Sequence, residues 1–478
     1  MKTCILLLIS GFIFAGFSYG GVEGEKKLPE ESSVKIPDGV RLTPEKKHDL
    51  FAFLGKIYEE QEDFSRAAEA YQQALNITPD DLKLHSALAR AYREAGEEDI
   101  AGREYQIILE LAARDLTNPD PSVRRKAIKS ISPIPGLEAD TLLLESLSNS
   151  DAAVRKAGAL ALGKRGNEEA IPILLQLVEK TNPSGRVISL LTTMGVKESL
   201  PAIVKHLSSS RIGMRRTAAS CLGGMGDPDA LEYLLPGLND DNYLMRKTTA
   251  YALWQIHDTR AVPPLIAALD DDAAIVKKLA AYSLGKLGDP EAIEPLEKLL
   301  EDTTDSNHLY AALALAELGV SVDTKIFLDE LDAKDFFYRG TAIEGLKASG
   351  DPAAALAIIP MLKDRTSWVR TIAAESLATL NLPESREALI ESLNTNDFPE
   401  KAYAAAALWN LGDKSGPELL SELMESPYPE NREFAARALK YVNDEARLPL
   451  LEKALNDPSL IVRRIAEESL QAKEEIIE

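Results

Sequence analysis

The sequence of 478 residues is poor in cysteine and histidine. Two cysteines, Cys4 and Cys221, cannot build a disulfide framework. The five histidines are scattered, and no H-E-x-x-H or C-x-x-C motif occurs, which excludes the obvious zinc and di-iron spacings. Glycine-rich phosphate loops and the G-x-S-x-G motif are absent, and no carboxylate pair stands out as acid and base. We therefore expect a protein that is not an enzyme, with no catalytic, cofactor-binding or metal site.

Positive charge is also in short supply. The chain has 54 Lys and Arg against 76 Asp and Glu, a net charge of −22. Neutralising a phosphate backbone requires clustered basic residues, so the balance argues against a nucleic-acid partner and against an anionic membrane surface. A single core stops growing at roughly 250–300 residues, so a chain of this length requires several domains or a repetitive stack.

Long apolar runs are missing except at the N-terminus. Lys2 precedes an apolar run from Cys4 to Phe17, and Ser18-Tyr19-Gly20 supplies small residues for cleavage. This order is typical of a secretory signal peptide. We predict a signal peptide at residues 1–20, a flexible tether at 21–42, and export to the periplasm or cell envelope, with the extracellular space as an alternative. An uncleaved membrane anchor is the alternative to cleavage, although the apolar run is shorter than the about 20 residues that span a bilayer. After cleavage we expect no stable membrane insertion.

Residues 43–117 contain two units spaced 34 residues apart. Five positions of the first unit have an equivalent in the second. The corresponding pairs are Leu54 and Leu88, Gly55 and Ala89, Tyr58 and Tyr92, Ala67 and Ala101, and Tyr71 and Tyr105. The pattern L-G-x2-Y, A-x3-Y and a closing proline resembles the tetratricopeptide repeat, a helix–turn–helix unit.

Residues 118–478 follow a second period, of 31 residues. A basic residue recurs in most units, with Ala three and Leu seven positions later, which places Ala and Leu on one face of a first helix. Glycine then ends that helix, and an Asp begins the turn into a second one. The basic residues are Arg124, Arg155, Arg215, Arg246, Lys277, Arg339, Arg370, Lys401, Arg432 and Arg463.

The pattern D-x2-V-R-x2-A-x3-L-G-x2-G-D-P resembles the HEAT repeat, in the variety first associated with phycobilin lyases. The resemblance implies an all-α fold, an α-solenoid of stacked helix pairs, and the count predicts eleven pairs and a closing helix. We expect the basic column, including Arg246 and Arg370, to form ion pairs between repeats with the Asp of each repeat's turn. This structural role competes with a phosphate- or carboxylate-binding one.

A second column contains large apolar residues. Phe337 and Trp368, with Leu244 and Ile275 in earlier repeats, each lie two residues before the basic position. At the start of a helix beside polar turns, this column should be partly exposed, and the two rings should stand about 10 Å apart. We predict a partner-binding ridge; packing beneath the inter-repeat loops is the alternative. The acidic turns that contain Asp332, Asp335 and Asp364 favour a partner with basic residues.

The sequence thus predicts an exported scaffold or adaptor without chemistry of its own, which binds proteins or peptides along an extended repeat surface. The alternative is an enzyme, or an enzyme subunit, that resembles the phycobilin lyases and acts on a tetrapyrrole-bearing protein.

Overall fold

The structure, a computed structural model, describes residues 42–180, 183–301 and 307–471, which are helical and contain no strand. The predicted signal peptide and all but the last residue of the predicted tether lie outside this part of the chain. No helix in the described ranges is long and apolar enough to cross a membrane. By its internal packing the chain divides into two units, which part between Ala101 and Gly102. The boundary predicted at residues 117/118 stays a prediction.

The first unit packs its helices around small residues and one tyrosine. Its core includes Tyr71 and Leu88, and the Tyr71 ring covers Gly55 so closely that a Cβ there would lie 2.5 Å from Tyr71 Cε1. The glycine at position 55 is therefore required by the close contact with Tyr71. The helices are α1 (Pro44–Glu60), α2 (Phe64–Leu75), α3 (Leu82–Glu94) and α4 (Glu98–Leu116), the last of which contains the division between the units.

The second unit continues as alternating first and second helices. The first helices are α5 (Pro121–Ile131), α7 (Ala152–Lys164), α9 (Gly185–Thr193), α11 (Ile212–Met225), α13 (Tyr243–Gln255), α15 (Ala274–Leu287), α17 (His308–Glu317), α19 (Phe336–Ala348), α21 (Ser367–Leu380), α23 (Phe398–Asn410), α25 (Pro429–Leu439) and α27 (Leu460–Gln471). The second helices are α6 (Leu137–Leu147), α8 (Ile171–Val178), α10 (Leu200–Lys205), α12 (Leu231–Leu234), α14 (Val262–Ala267), α16 (Ile293–Glu301), α18 (Lys325–Leu328), α20 (Pro352–Ala355), α22 (Arg386–Ser392), α24 (Ser415–Met424) and α26 (Leu448–Ala454). In the described part of the chain this confirms eleven pairs and a closing helix.

Short 3-10 segments flank or continue many of the second helices. They span Glu168–Ala170, Lys197–Ser199, His206–Ser208, Pro228–Ala230, Leu235–Asn239, Thr259–Ala261, Ala268–Asp270, Pro290–Ala292, Leu356–Lys363, Pro383–Ser385 and Glu445–Arg447. Asp residues cap several of them: Asp227, for example, accepts the backbone N–H of Asp229.

Glycine ends most first helices, as the pattern predicts. Gly166, Gly195, Gly226, Gly288, Gly319, Gly350 and Gly412 all adopt positive φ. Where glycine is replaced, His257 and Asn381 adopt the same left-handed conformation, with φ of 54° and 53°. Asn443 is held differently, because its backbone N–H donates to Asn410 Oδ1 at 2.8 Å. The turn is thus kept in most repeats even where its usual residue is lost.

The core of the array is formed by the Ala and Leu columns. Ala218, Ala280, Leu222 and Leu284 are fully buried, as are their equivalents in most repeats. Neighbouring first helices approach most closely at glycine: a Cβ on Gly223 would lie 2.6 Å from Ala252 Cβ. Small residues between first helices bring these helices close together and favour curvature toward their side of the array.

Side-chain contacts two repeats apart identify the concave face. Lys278 Nζ donates to Tyr338 Oη at 2.6 Å, and Tyr441 Oη donates to Glu375 Oε1 at 2.7 Å. Straight stacking at about 8–10 Å per helix layer would keep such residues apart. The first helices therefore line the inside of the curve.

The curvature brings the last helix of the second unit back to an early repeat. The backbone N–H of Leu460 donates to Gly166 O at 2.9 Å, and Arg463 pairs with Glu168. Nearby, Lys164 Nζ lies 3.8 Å from Glu430 Oε1. The second unit therefore closes on itself, which the repeat pattern does not predict.

Candidate functional site

A groove of about 790 Å³ runs along the concave face of the second unit. Residues from the first helices α9, α11, α13, α15, α17, α19 and α21 line it. We call this surface the groove. Its lining residues are Ser189, Gly213, Arg216, Thr217, Ser220, Cys221, Lys247, Thr248, Tyr251, Ile275, Lys278, Leu279, Tyr282, Tyr310, Asp335, Phe337, Tyr338, Thr341, Glu344 and Trp368.

One end of the groove carries an exposed aromatic cluster formed by Phe336, Phe337 and Trp368. Phe337 is 54% exposed and Trp368 40%. Their ring centroids lie 5.5 Å apart, and Phe336 stacks 4.3 Å from Phe337. The predicted separation of about 10 Å is wrong, because Trp368 leans back over Gly340, where a Cβ would collide with its ring.

The predicted ridge residues divide into two groups. Phe337, Trp368 and Ile275 line the groove, whereas Leu244 does not. Leu244 is half-buried, and its carbonyl accepts the hydroxyl of Thr248 at 2.7 Å. The exposure of Phe337 and Trp368 does not fit packing beneath the inter-repeat loops. Binding by this column remains a prediction.

Stacked tyrosines line the middle of the groove. The rings of Tyr251 and Tyr282 lie 6.1 Å apart and 20° from parallel. Burial raises the pKa of Tyr282, and Glu344 raises it further. Burial acts to lower the pKa of Lys286, but Glu344 and Glu317, at 3.4 and 2.7 Å, outweigh burial and raise it. This wall is therefore neutral tyrosine backed by a paired ammonium.

Three basic residues line the groove from its other end toward the aromatic cluster. Arg216, Lys247 and Lys278 recur at a spacing of 31 residues, one position after the predicted basic column. Arg216 Nε donates to Thr248 Oγ1 at 3.1 Å, and Lys278 donates to Tyr338. We call these residues the groove cations. Their period, like that of Tyr251 and Tyr282, is visible in the sequence, but no pattern there shows which side of the helix is concave.

Part of the predicted basic column forms ion pairs between repeats: Arg246 pairs with an Asp, and Arg370 pairs with Glu400 at 2.7 Å. Arg124 and Arg155 instead donate to backbone carbonyls. Arg246 Nε and Nη2 donate to the two carboxylate oxygens of Asp271 at 2.6 and 2.9 Å, and Arg246 Nη1 donates to Asp240 O at 2.9 Å. Both side chains of this pair are largely buried. We call these ion pairs between repeats the ladder. Its bidentate pairs are Arg215–Asp240, Arg246–Asp271, Arg339–Asp364 and Arg432–Asp457.

The identity of the acidic partners corrects the sequence prediction. The Asp that follows each glycine, such as Asp227 or Asp351, caps the second half of its own repeat. The ladder partner lies 25 residues after the Arg, just before the next first helix. There Asp271 also accepts the backbone N–H of Ala273, so one carboxylate caps a turn and holds an Arg.

The acidic turns beside the aromatic cluster differ in what they offer. Asp335 lines the groove and accepts the backbone N–H of Phe337 at 2.9 Å. Asp332 is exposed. Asp364 is already bound by Arg339 at 2.7 and 2.8 Å, so the expectation that it faces a partner is wrong.

Chemistry-bearing clusters are few in the described ranges. Within 42–180, 183–301 and 307–471, no group of three or more His, Cys, Asp or Glu side chains is placed to hold a metal ion. Cys221 is a buried free thiol whose pKa is raised by burial. Its Sγ lies 3.9 Å from Ser189 Oγ. This environment disfavours a thiolate nucleophile.

Known families match both repeat regions. The family described as HEAT repeats matches residues 108–187, 184–254, 231–316, 324–408 and 396–471. The family described as TPR repeat matches residues 55–96. No curated protein matches the chain.

Solved structures with similar helical arrays include three of different kinds. The CpcE–CpcF complex of phycocyanin lyase from Nostoc sp. PCC7120 is 21% identical, covers 46% of this chain and 92% of its own, and has a TM-score of 0.38. Human deoxyhypusine hydroxylase is 23% identical over 60% of this chain and 99% of its own, with a TM-score of 0.27. A chain from a study of Kap95p binding to RanGDP is 12% identical over 90% of this chain and 77% of its own, with a TM-score of 0.37.

Proposed function

Since the chain belongs to the HEAT-repeat family, we propose that it is an exported, non-enzymatic scaffold or adaptor that binds a protein or peptide in the groove. The observation that carries this proposal is the exposed cluster of Phe336, Phe337 and Trp368 at one end of the groove. Large aromatic side chains on a surface lose apolar exposure when a partner covers them, and Trp is among the residues that dominate interface energies.

The cluster is suited to an apolar anchor. Trp368 rests on Gly340 and Phe337 rests on Phe336, so both rings are supported from behind before any partner binds. Supported rings lose little conformational freedom on binding. Each ring is expected to contribute about 2 kcal/mol or more at a desolvated interface.

A basic residue beside the partner's anchor fits this end of the groove. Asp335 lies at the start of α19, and Asp332 lies in the exposed turn before it. Asp364 takes no part, because Arg339 neutralises it. We thus narrow the partner's basic contact to the α19 turn; nucleic acid is disfavoured by the net charge of −22.

The experiment that tests the groove is partner capture from a native envelope extract by crosslinking and pull-down. Phe337→Ala with Trp368→Ala should weaken capture more than tenfold at unchanged helical content by circular dichroism. The matched control is Tyr233→Ala with Phe398→Ala, which removes two exposed rings outside the groove. Equal loss in both double variants, or undiminished capture by the first, contradicts the proposal.

Export is the second part of the proposal. It is supported by the order of Lys2, the apolar run from Cys4 to Phe17, and Ser18-Tyr19-Gly20. The mature protein is then released from the membrane and works in the periplasm or cell envelope. N-terminal sequencing should find a start near Gly21, and a cytosolic protein that retains Met1 contradicts export.

The alternative function is that of a bilin-lyase-like enzyme or subunit acting on a tetrapyrrole-bearing protein. One observation favours it: the stacked rings of Tyr251 and Tyr282 beside cationic Arg216 and Lys247 would also suit a flat, carboxylated, conjugated compound. Purified protein that carries visible absorbance from such a compound, or that binds a free bilin in the groove, would favour this alternative. Co-purification of an envelope protein without a chromophore favours the scaffold.

A further inference from the structure

Two of the groove cations have no acidic partner in the part of the chain that the structure describes. Neither Arg216 nor Lys247 pairs with a carboxylate anywhere in residues 42–180, 183–301 and 307–471, and both are half-buried. Among the described residues of the array, most other half-buried Arg side chains pair with a carboxylate. Half-buried charge without a counter-ion costs solvation free energy, which a bound anion would recover.

The column of the groove cations changes character along the array. It runs Arg216, Lys247 and Lys278, and then continues at the same spacing as Leu309 and Gly340. Gly340 is the residue on which the Trp368 ring rests. The groove therefore has a cationic end and an aromatic end. Asp335 lines it beside Phe337, and Glu344, paired with Lys286, lines its middle.

We infer that the occupant of the groove is an extended peptide segment with carboxylates at one end and a large apolar residue at the other. This inference rests on the proposed function and names the partner's chemistry. The column spans four repeats from Arg216 to Gly340. At no more than about 10 Å per repeat, and about 3.3 Å per extended residue, the carboxylates stand at most about 12 residues from the anchor.

A peptide fits this polarity better than a nucleic acid. A phosphate backbone that followed the groove would carry negative charge past Glu344 in its middle and Asp335 at its aromatic end, whereas a peptide can place its acidic residues only where Arg216 and Lys247 are. The rest of the chain, at −22 overall, repels a polyanion in addition.

Selection from a displayed library of random 12-residue peptides tests this chemistry on the purified full chain. Enriched peptides should combine Asp or Glu at one end with an aromatic or long aliphatic residue at the other. The best such peptide, made synthetically, should bind more weakly as salt is raised, because its carboxylates face fixed cations.

Variants then assign the carboxylates to named cations. Arg216→Gln with Lys247→Gln should weaken binding of the peptide at least tenfold, and Arg216→Lys with Lys247→Arg should restore most of it. Changing the peptide's acidic residues to amides should weaken its binding to the wild type as much as the double substitution to Gln does. The same change should hardly alter its binding to the Gln double variant. Lys129→Gln with Lys325→Gln, two exposed cations outside the groove, is the matched control.

The outcomes separate the inference from the proposed function. Enriched peptides without acidic residues, or equal binding by the Gln double variant, overturn the inference and leave the groove as a peptide site. If no peptide is enriched and the Phe337→Ala, Trp368→Ala variant still captures partners, both fail. Displacement of the peptide by a single-stranded oligonucleotide at equal concentration also overturns the inference.

Discussion

Arg246 and Lys247 are consecutive in the sequence and lie on the same helix, yet their surroundings are opposite. Arg246 is held by both oxygens of Asp271 and by a backbone carbonyl. Lys247 lines the groove and pairs with no carboxylate in the described residues. The same contrast recurs one repeat earlier: Arg215 binds Asp240, whereas Arg216 donates to the hydroxyl of Thr248.

The difference follows from helix geometry. Successive residues are about 100° apart around an α-helix, so two adjacent basic residues face different neighbours. The side of the first helix that carries the ladder faces the turn before the next first helix, and this turn supplies the Asp of every bidentate pair. The groove side faces the concave surface, where the chain supplies tyrosines and few acids. Adjacent columns of one charge can therefore serve stability and binding separately.

The largest effect that would test this contrast is loss of the most buried ladder Arg. Arg339 is almost fully buried against Asp364. Arg339→Ala leaves that carboxylate without its cation, so we expect the free energy of unfolding to fall by about 3–5 kcal/mol in chemical denaturation. The control Lys363→Ala removes an exposed pair with Glu391 and should cost about 0–1 kcal/mol. Equal costs would show that the ladder is not a stabilising feature.

A smaller effect distinguishes the two Asp columns. Asp364 binds Arg339 and caps the turn at Thr366, whereas Asp351 accepts the backbone N–H of Ala353. Asp364→Asn keeps the cap but loses the ion pair, and we expect a loss of about 2–3 kcal/mol. Asp351→Asn should cost less than about 0.5 kcal/mol, because Asn and Asp cap equally well. If Asp351→Asn proves more destabilising than Asp364→Asn in thermal or urea denaturation, the ladder partner is the Asp after the glycine, as expected from the sequence.

The sequence predicts what is local and periodic. The buried Ala and Leu columns, the left-handed glycines and the number of helix pairs depend on contacts within a repeat or with its neighbour, so the 31-residue period determines them. The period also shows that a basic column exists. It does not distinguish Asp351 from Asp364 as the partner of Arg339, because both recur once per repeat.

What the sequence does not predict depends on curvature, which adds up over many repeats. The contact of Leu460 with Gly166 joins residues that are far apart in the sequence, through small rotations that add up from repeat to repeat. Trp368 lies 5.5 Å from Phe337 because its ring leans over Gly340, and curvature places the groove cations on the inner face. Half of the candidate site, the exposed aromatic column, follows from the pattern; its cationic half requires the concave side to be known.

Acid should weaken the ladder and leave the groove column unaffected. Burial opposes ionisation of Asp364, but Arg339 and the Thr366 N–H outweigh it and hold the pKa of Asp364 below its ordinary 3.8; Arg246 likewise lowers the pKa of Asp271. Stability from a lowered pKa is present above 3.8 and is lost as pH falls through the folded value. Unfolding followed from pH 7 to pH 2 should show this loss, reduced in Arg339→Ala and unchanged in Lys247→Ala. If the pH profile of Arg339→Ala is identical to that of the wild type, the ladder is not the source of the stability lost in acid.

The smallest expected effect is the sharpest test of the contrast between neighbours. Lys247→Ala removes a cation that has no carboxylate partner in the described residues, so we expect the free energy of unfolding to change by less than about 0.5 kcal/mol. Arg246→Ala, one position away on α13, should cost about 3 kcal/mol or more, because it strands the buried carboxylate of Asp271. Urea denaturation of the two single variants side by side measures the difference. A Lys247→Ala variant as unstable as Arg246→Ala would mean that the groove cations stabilise the fold. The inference that the cationic end of the groove binds a ligand would then be wrong.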